Sequence, residues 1–148
     1  MSRKNILLNI ELFNGLSEGE LEQVAAICQQ RALSKGEVLA VQGEISSELF
    51  IITAGLVEIL VNDKHKPPHT RVVANLGTGQ IIGEMGLGDQ GPRSATVRAI
   101  AQPTEVQVIQ YSDFLELCEN YTHLGYIVMR NLAADISFKL RRTNSLSG

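Results

Sequence analysis

The chain has 148 residues, 44% of them hydrophobic and 20% charged, the size and balance of one globular domain whose core needs no metal or disulfide to hold it. A formal net charge of −3 excludes a generally basic nucleic-acid-binding surface, and no apolar run approaches the roughly 20 residues of a membrane-spanning helix. Only 5% of residues are aromatic and none is Trp, so the core is mainly aliphatic.

The first residues are basic, but the apolar stretch after them is broken at once by Asn9 and Glu11, which is not the pattern of a signal peptide. Ser17-Glu18-Gly19-Glu20 is a capping box, and Leu21, Val24, Ala25 and Cys28 follow at helical spacing, predicting a short helix over 18–30. From Ser34-Lys35-Gly36 to about Gln110 the chain reads as short β-rich runs at 38–41, 49–53, 56–61, 71–76, 96–100 and 105–109. They are punctuated by Gly36, Gly43, Gly55, residues 62–68, Gly77-Thr78-Gly79 and Gln102-Pro103. Such spacing suggests a sandwich or barrel-like roll, with Ala54-Gly55 as a tight hairpin turn. Ser112 is the expected N-cap of a helix over 113–119. A longer helix is predicted over 122–142, with a stripe of Leu124, Ile127, Val128, Leu132, Ile136 and Leu140, a weaker first turn at Gly125 and a frayed polar tail over 143–148. Lys139, Arg141 and Arg142 suit the C-terminal end of that helix.

Residues 81–96 interrupt the β pattern. Five of the sixteen are Gly or Pro, and Glu84 and Arg93 stand near opposite ends. Glycines let backbone N–H groups approach a ligand, and a helical turn beginning near Gly83 would aim such groups at an anion. The planar guanidinium of Arg93 suits a phosphate; an ionised Glu84 accepts from hydroxyls. Together they describe a nucleotide-like ligand. The same two side chains are equally suited to pairing with each other across a glycine-rich surface turn, and spacing alone leaves both readings open.

The stretch Gly83-Glu84-Met85-Gly86-Leu87, followed by Arg93-Ser94-Ala95-Thr96-Val97-Arg98-Ala99, resembles the phosphate-binding cassette of the cyclic-nucleotide-binding domain family. Its loop length is close to that of the family's bacterial cyclic-AMP receptors. The likeness extends upstream through Lys35-Gly36-Glu37-Val38-Leu39, Gln42-Gly43-Glu44 and Leu49-Phe50-Ile51-Ile52, and downstream into the long helix, over about residues 10–142. It implies an α+β fold: a double-stranded β-helix, a jelly-roll-like β-roll, with a short helix before it and helices including one long one after it. It also implies a ligand, cAMP, with cGMP as the alternate. Glu84 would accept from the ribose 2′-hydroxyl, and Arg93 would bind the cyclic phosphate with help from Ser94 and Ala95. The Gly83 backbone would lie beside the sugar, and Met85 and Gly86 are counted with it among the ligand-binding residues. Thr143 and Asn144 align with positions that contact the adenine, and Val73 and Leu76 are candidates for lining the base pocket or for plain core. Ser94, where cGMP-selective relatives often carry Thr, leans towards cAMP.

The family's transcription factors continue into a DNA-reading helix-turn-helix, for which the six residues after Arg142 leave no room. The expectation is a single domain over 1–148 without direct nucleic-acid or membrane contact, acting through a homodimer on the long helix or through a protein effector. Enzyme readings find little support. His65 and His69 flank Pro67-Pro68, which exclude a helical metal pair, and His123 is isolated. Ser94 and Ser112 have no triad partners in the sequence. Cys28 and Cys118 fit no metal spacing and read as reduced core thiols of a cytoplasmic protein. The competing reading is a scaffold that keeps the fold without the ligand.

Overall fold

The computed structural model describes residues 3–63 and 69–147, with side chains for 5–63 and 69–142. The chain divides into a β unit, residues 28–111, and a helical unit formed by the segments before and after it.

The β unit is an antiparallel roll of two four-stranded sheets. One sheet has the order β1-β8-β3-β6: β1 Gln29–Leu33, β8 Thr104–Gln110, β3 Glu48–Ala54 and β6 Ile81–Ile82. The other has the order β2-β7-β4-β5: β2 Val38–Ala40, β7 Thr96–Ala99, β4 Leu56–Asp63 and β5 His69–Gly77. Alternate residues of both sheets, among them Leu33, Phe50, Ile52, Val57, Ile82, Val97, Val106 and Val108, pack into one apolar cluster. In β3 the run Leu49-Phe50-Ile51-Ile52 is wholly buried, with Phe50 and Ile52 in the roll's core. β5, at an edge, is exposed over most of its length.

The expected hairpin at Ala54-Gly55 is corrected. β3 and β4 do not pair; they belong to different sheets, and the chain crosses between sheets at this point. Gly55 has φ +88°, and a Cβ there would lie 2.5 Å from the Pro103 carbonyl oxygen and 2.6 Å from Thr104 Cα, so only glycine fits.

In the helical unit α1 spans Arg3–Leu7, a 3-10 turn spans Glu11–Phe13, and α2 spans Glu18–Ala26. The Ser17 capping box forms as predicted: Glu20 N donates to Ser17 Oγ at 3.2 Å, and Ser17 N donates to Glu20 Oε1 at 2.8 Å. The helix ends earlier than the expected 30. Gln29 and Gln30 instead pair with Val108 and Gln107 of β8, since ladder hydrogen bonds outweigh a polar pattern that suits either state. α4 begins at Tyr111, so Ser112 lies inside its first turn and is not its N-cap; α4 is Tyr111–Asn120 and α5 is Thr122–Ser147. The backbone expected to fray after 142 is helical through Ser147. The stripe is buried at Leu124, Ile127, Val128 and Leu132 but exposed at Ile136 and Leu140. Gly125 has a packing reason: a Cβ would lie 2.6 Å from the Cys118 carbonyl, so α5 passes close to α4 there. The Phe13 and Phe114 rings meet at 5.9 Å, and Asn131 Nδ2 donates to the carbonyls of Leu12 and Asn14.

Candidate ligand-binding site

The segment singled out in the sequence leaves β6 at Gly83, forms the short α3 Gly86–Asp89, and enters β7 at Thr96. The predicted helical turn therefore starts three residues later than Gly83, which has φ +86° and acts as a corner instead. Turn bonds then run from Leu87 N to Glu84 O and from Gly88 N to Met85 O, each 3.2 Å.

The far end of the segment is pinned to the turn before β3. Arg93 N donates to Glu44 O at 2.7 Å, and Gly43 N donates to Arg93 O at 2.8 Å. Ser46 Oγ donates to Gly91 O at 2.6 Å. These bonds fix the Arg93 backbone, and the side chain turns inward. Its Nη2 donates to the Glu48 carbonyl at 2.6 Å, and its Cζ stands 5.3 Å from the centre of the buried Phe50 ring, a cation–π contact worth about 0.5–2 kcal/mol. The other nitrogen, Nη1, is buried and has no hydrogen-bond partner. It lies against Gly83, where a Cβ would collide with it. A buried guanidinium nitrogen without an acceptor is costly, and an anion is the group that satisfies it.

The carboxylate of nearby Glu48 is engaged elsewhere. The Glu48 carboxylate receives Gln110 Nε2 at 2.7 Å and lies 3.7 Å from Arg31. Glu84 is half-buried on the same segment. A cavity of about 500 Å³, lined by Val41, Gln42, Gly43, Asn62, Pro92, Arg93 and Thr96, opens at the Arg93 end.

The structure thus brings Gly83, Glu84, Gly86, Arg93 and Ala95 onto one partly buried segment, while Met85 and Ser94 are exposed on it. Thr143 and Asn144 fall in the last turns of α5, and their side chains lie outside the described residues, as does His65. Of the base-lining candidates, Leu76 packs on the roll's core, and Val73 is 43% exposed on β5. Sequence reasoning missed Phe50, Glu48, Ser46 and Tyr111, whose hydroxyl donates to the Gly83 carbonyl. No local pattern marks them; they reach the segment through strand pairing. Among the described residues no group of three His, Cys, Asp or Glu side chains is placed to hold a metal, and no helix is long and apolar enough to cross a membrane.

Comparison with known proteins agrees with this geometry. The cyclic nucleotide-binding domain model matches residues 30–121. The chain is 31% identical over 133 residues to the cyclic AMP receptor protein of Thermus thermophilus, covering 90% of this chain and 58% of that protein. It is 29% identical over 125 residues to the cGMP-dependent protein kinase of Eimeria tenella, covering 84% of this chain and 12% of the kinase. The crystal structure of a cyclic nucleotide-binding domain from Methylobacillus flagellatus superposes with a TM-score of 0.81 at 27% identity, over 97% of this chain and 79% of that one. With the roll, the glycine-cornered segment and the matched residues in agreement, the chain belongs to the cyclic nucleotide-binding domain family.

Proposed function

We propose that this chain is a regulatory binding module for cyclic AMP, not a catalyst, and that the segment from Gly83 to Ala95 is its phosphate-binding cassette. The observation that carries the reading is the buried, unpartnered Nη1 of Arg93 beside the φ +86° corner at Gly83. A cyclic phosphate supplies the acceptor that this nitrogen lacks. Glu84 takes the ribose 2′-hydroxyl, Ser94 and Ala95 support the phosphate, and the Gly83 backbone lies beside the sugar, with Met85 and Gly86 completing the binding segment. Thr143 and Asn144, at the end of α5, are assigned to the base. The relatives include both a cyclic AMP receptor protein and a cGMP-dependent protein kinase; Ser94 after Arg93 favours cAMP, with cGMP as the alternate.

In this reading residues 1–148 act as one binding domain in the cytoplasm, where Cys28 and Cys118 stay thiols. Ligand shifts a conformational equilibrium by its differential affinity for two states. The output surface is α5, whose Phe138 and Leu140 are 65% and 58% exposed and offer a face to a second copy or a protein effector.

About 22 non-hydrogen atoms at roughly 0.3 kcal/mol each set an affinity on the order of 10 μM. Calorimetric titration with cAMP and cGMP tests the reading. Saturable heat with cAMP is expected; Arg93→Ala removes it, at a cost of roughly 2–5 kcal/mol, and Glu84→Ala weakens it. Silence of the wild-type protein at millimolar nucleotide rejects the reading in favour of a ligand-independent scaffold.

A further inference from the structure

Tyr111 is 1% exposed and stands where β8 becomes α4. Its backbone N–H donates to the Ser47 carbonyl at 2.9 Å, and its hydroxyl donates to the Gly83 carbonyl. The hydroxyl also fills the space beneath α3: a Cβ at Gly86 would collide with it and would lie 2.6 Å from Ser46 Oγ. Ser46 is itself 4% exposed and holds Gly91. Two buried hydroxyls from different parts of the roll therefore converge under the segment, and one of them grips the corner against which Arg93 Nη1 rests.

The peptide plane gives this grip its consequence. The Gly83 carbonyl and the Glu84 N–H belong to one rigid trans unit and point in opposite directions. Rotating that unit would reverse both at once, and a glycine before it resists such rotation least. Holding the carbonyl holds the N–H, the start of the α3 turn and the wall beside Nη1.

Resting on the cyclic-nucleotide reading above, we propose that Tyr111 is a positioning residue: its hydroxyl locks the Gly83–Glu84 peptide in the orientation that the Arg93 anion site requires. It touches no ligand and acts through Gly83. Because its hydroxyl holds the Gly83 carbonyl, a ligand that presses on the Gly83 peptide alters the surroundings of the Tyr111 ring.

The test uses two variants. Tyr111→Phe removes one neutral hydrogen bond and should raise the Kd for cAMP about five- to tenfold, while circular dichroism shows an intact fold. The chain has three tyrosines and no Trp, so Tyr121→Phe with Tyr126→Phe, both at exposed positions, leaves Tyr111 as the sole emitter in a protein whose lock is untouched. Its fluorescence should change on saturation with cAMP and stay constant when Arg93→Ala is added. Wild-type protein that binds no nucleotide rejects the functional reading itself. Normal binding overturns the Tyr111 assignment alone if Tyr111→Phe keeps its affinity within twofold, or if the reporter's emission is unmoved at saturation.

Discussion

Arg93 and Cys118 illustrate opposite outcomes of burial for a single side chain. Arg93 keeps one nitrogen without an acceptor beside Gly83, a state that favours a ligand. Cys118 is half-buried, and loss of hydration pushes its thiol up to about 11. It therefore stays protonated and unreactive near neutrality. Below the ordinary thiol value stability is undiminished, because both folded and unfolded chains then hold the proton. It declines as pH rises towards 11, where the unfolded chain has already lost the proton. Iodoacetamide at pH 8.5 should modify Cys118 far more slowly in native protein than in urea, as read by mass spectrometry of the peptide that contains it. At this scale the candidate ligand groups could be named from the sequence, because Glu, Arg and Gly have recognisable chemistry at a recognisable spacing. Their supports stayed hidden: the Arg93–Glu48 and Tyr111–Gly83 bonds join residues 45 and 28 positions apart, and only the sheet register sets those distances.

Among the elements, α2 has the best-defined start. Glu20 serves two partners, Ser17 N through one oxygen and His123 Nδ1, 2.8 Å away, through the other. Its carboxyl is held below its usual value, chiefly by the Ser17 backbone bond, with His123 adding to it and burial opposing. A lowered value means stability that is present above the ordinary carboxylate range and lost as pH falls through the folded-state value. Ser17→Ala should cost about 1 kcal/mol, and the gap between wild type and Glu20→Gln in urea melts should close between neutral pH and acid. The capping box was legible because it is a four-residue rule. β1 was not: Gln29-Gln30-Arg31 is polar and exposed, and β8, more than seventy positions away, decides its state. The two-residue β6 is too short to show a period, and the exposed outer half of the α5 stripe shows that periodicity marks a face without saying what covers it.

For the molecule as a whole, six of the eight strands among the described residues could be located from apolar runs and turn residues, but their partners could not. Ala54-Gly55 has the composition of a hairpin and serves as a crossing between sheets, a distinction made only by the Pro103–Thr104 backbone pressed against Gly55. Gly55→Ala should destabilise the protein by about 2 kcal/mol or more, combining a positive φ with a blocked approach; thermal melts beside Gly36→Ala, which has φ +91° and open space, separate the two contributions.

The strand order also bears on synthesis. In each sheet an inner position belongs to a strand written late in the chain, β8 between β1 and β3, and β7 between β2 and β4. A nascent chain has already emerged with β1 to β6 before either slot can be filled, so its early strands wait beside open edges. Closure of the roll is postponed until Gln110 has left the ribosome, and anything that stalls translation before that point leaves a half-built barrel exposed to proteases and to its neighbours.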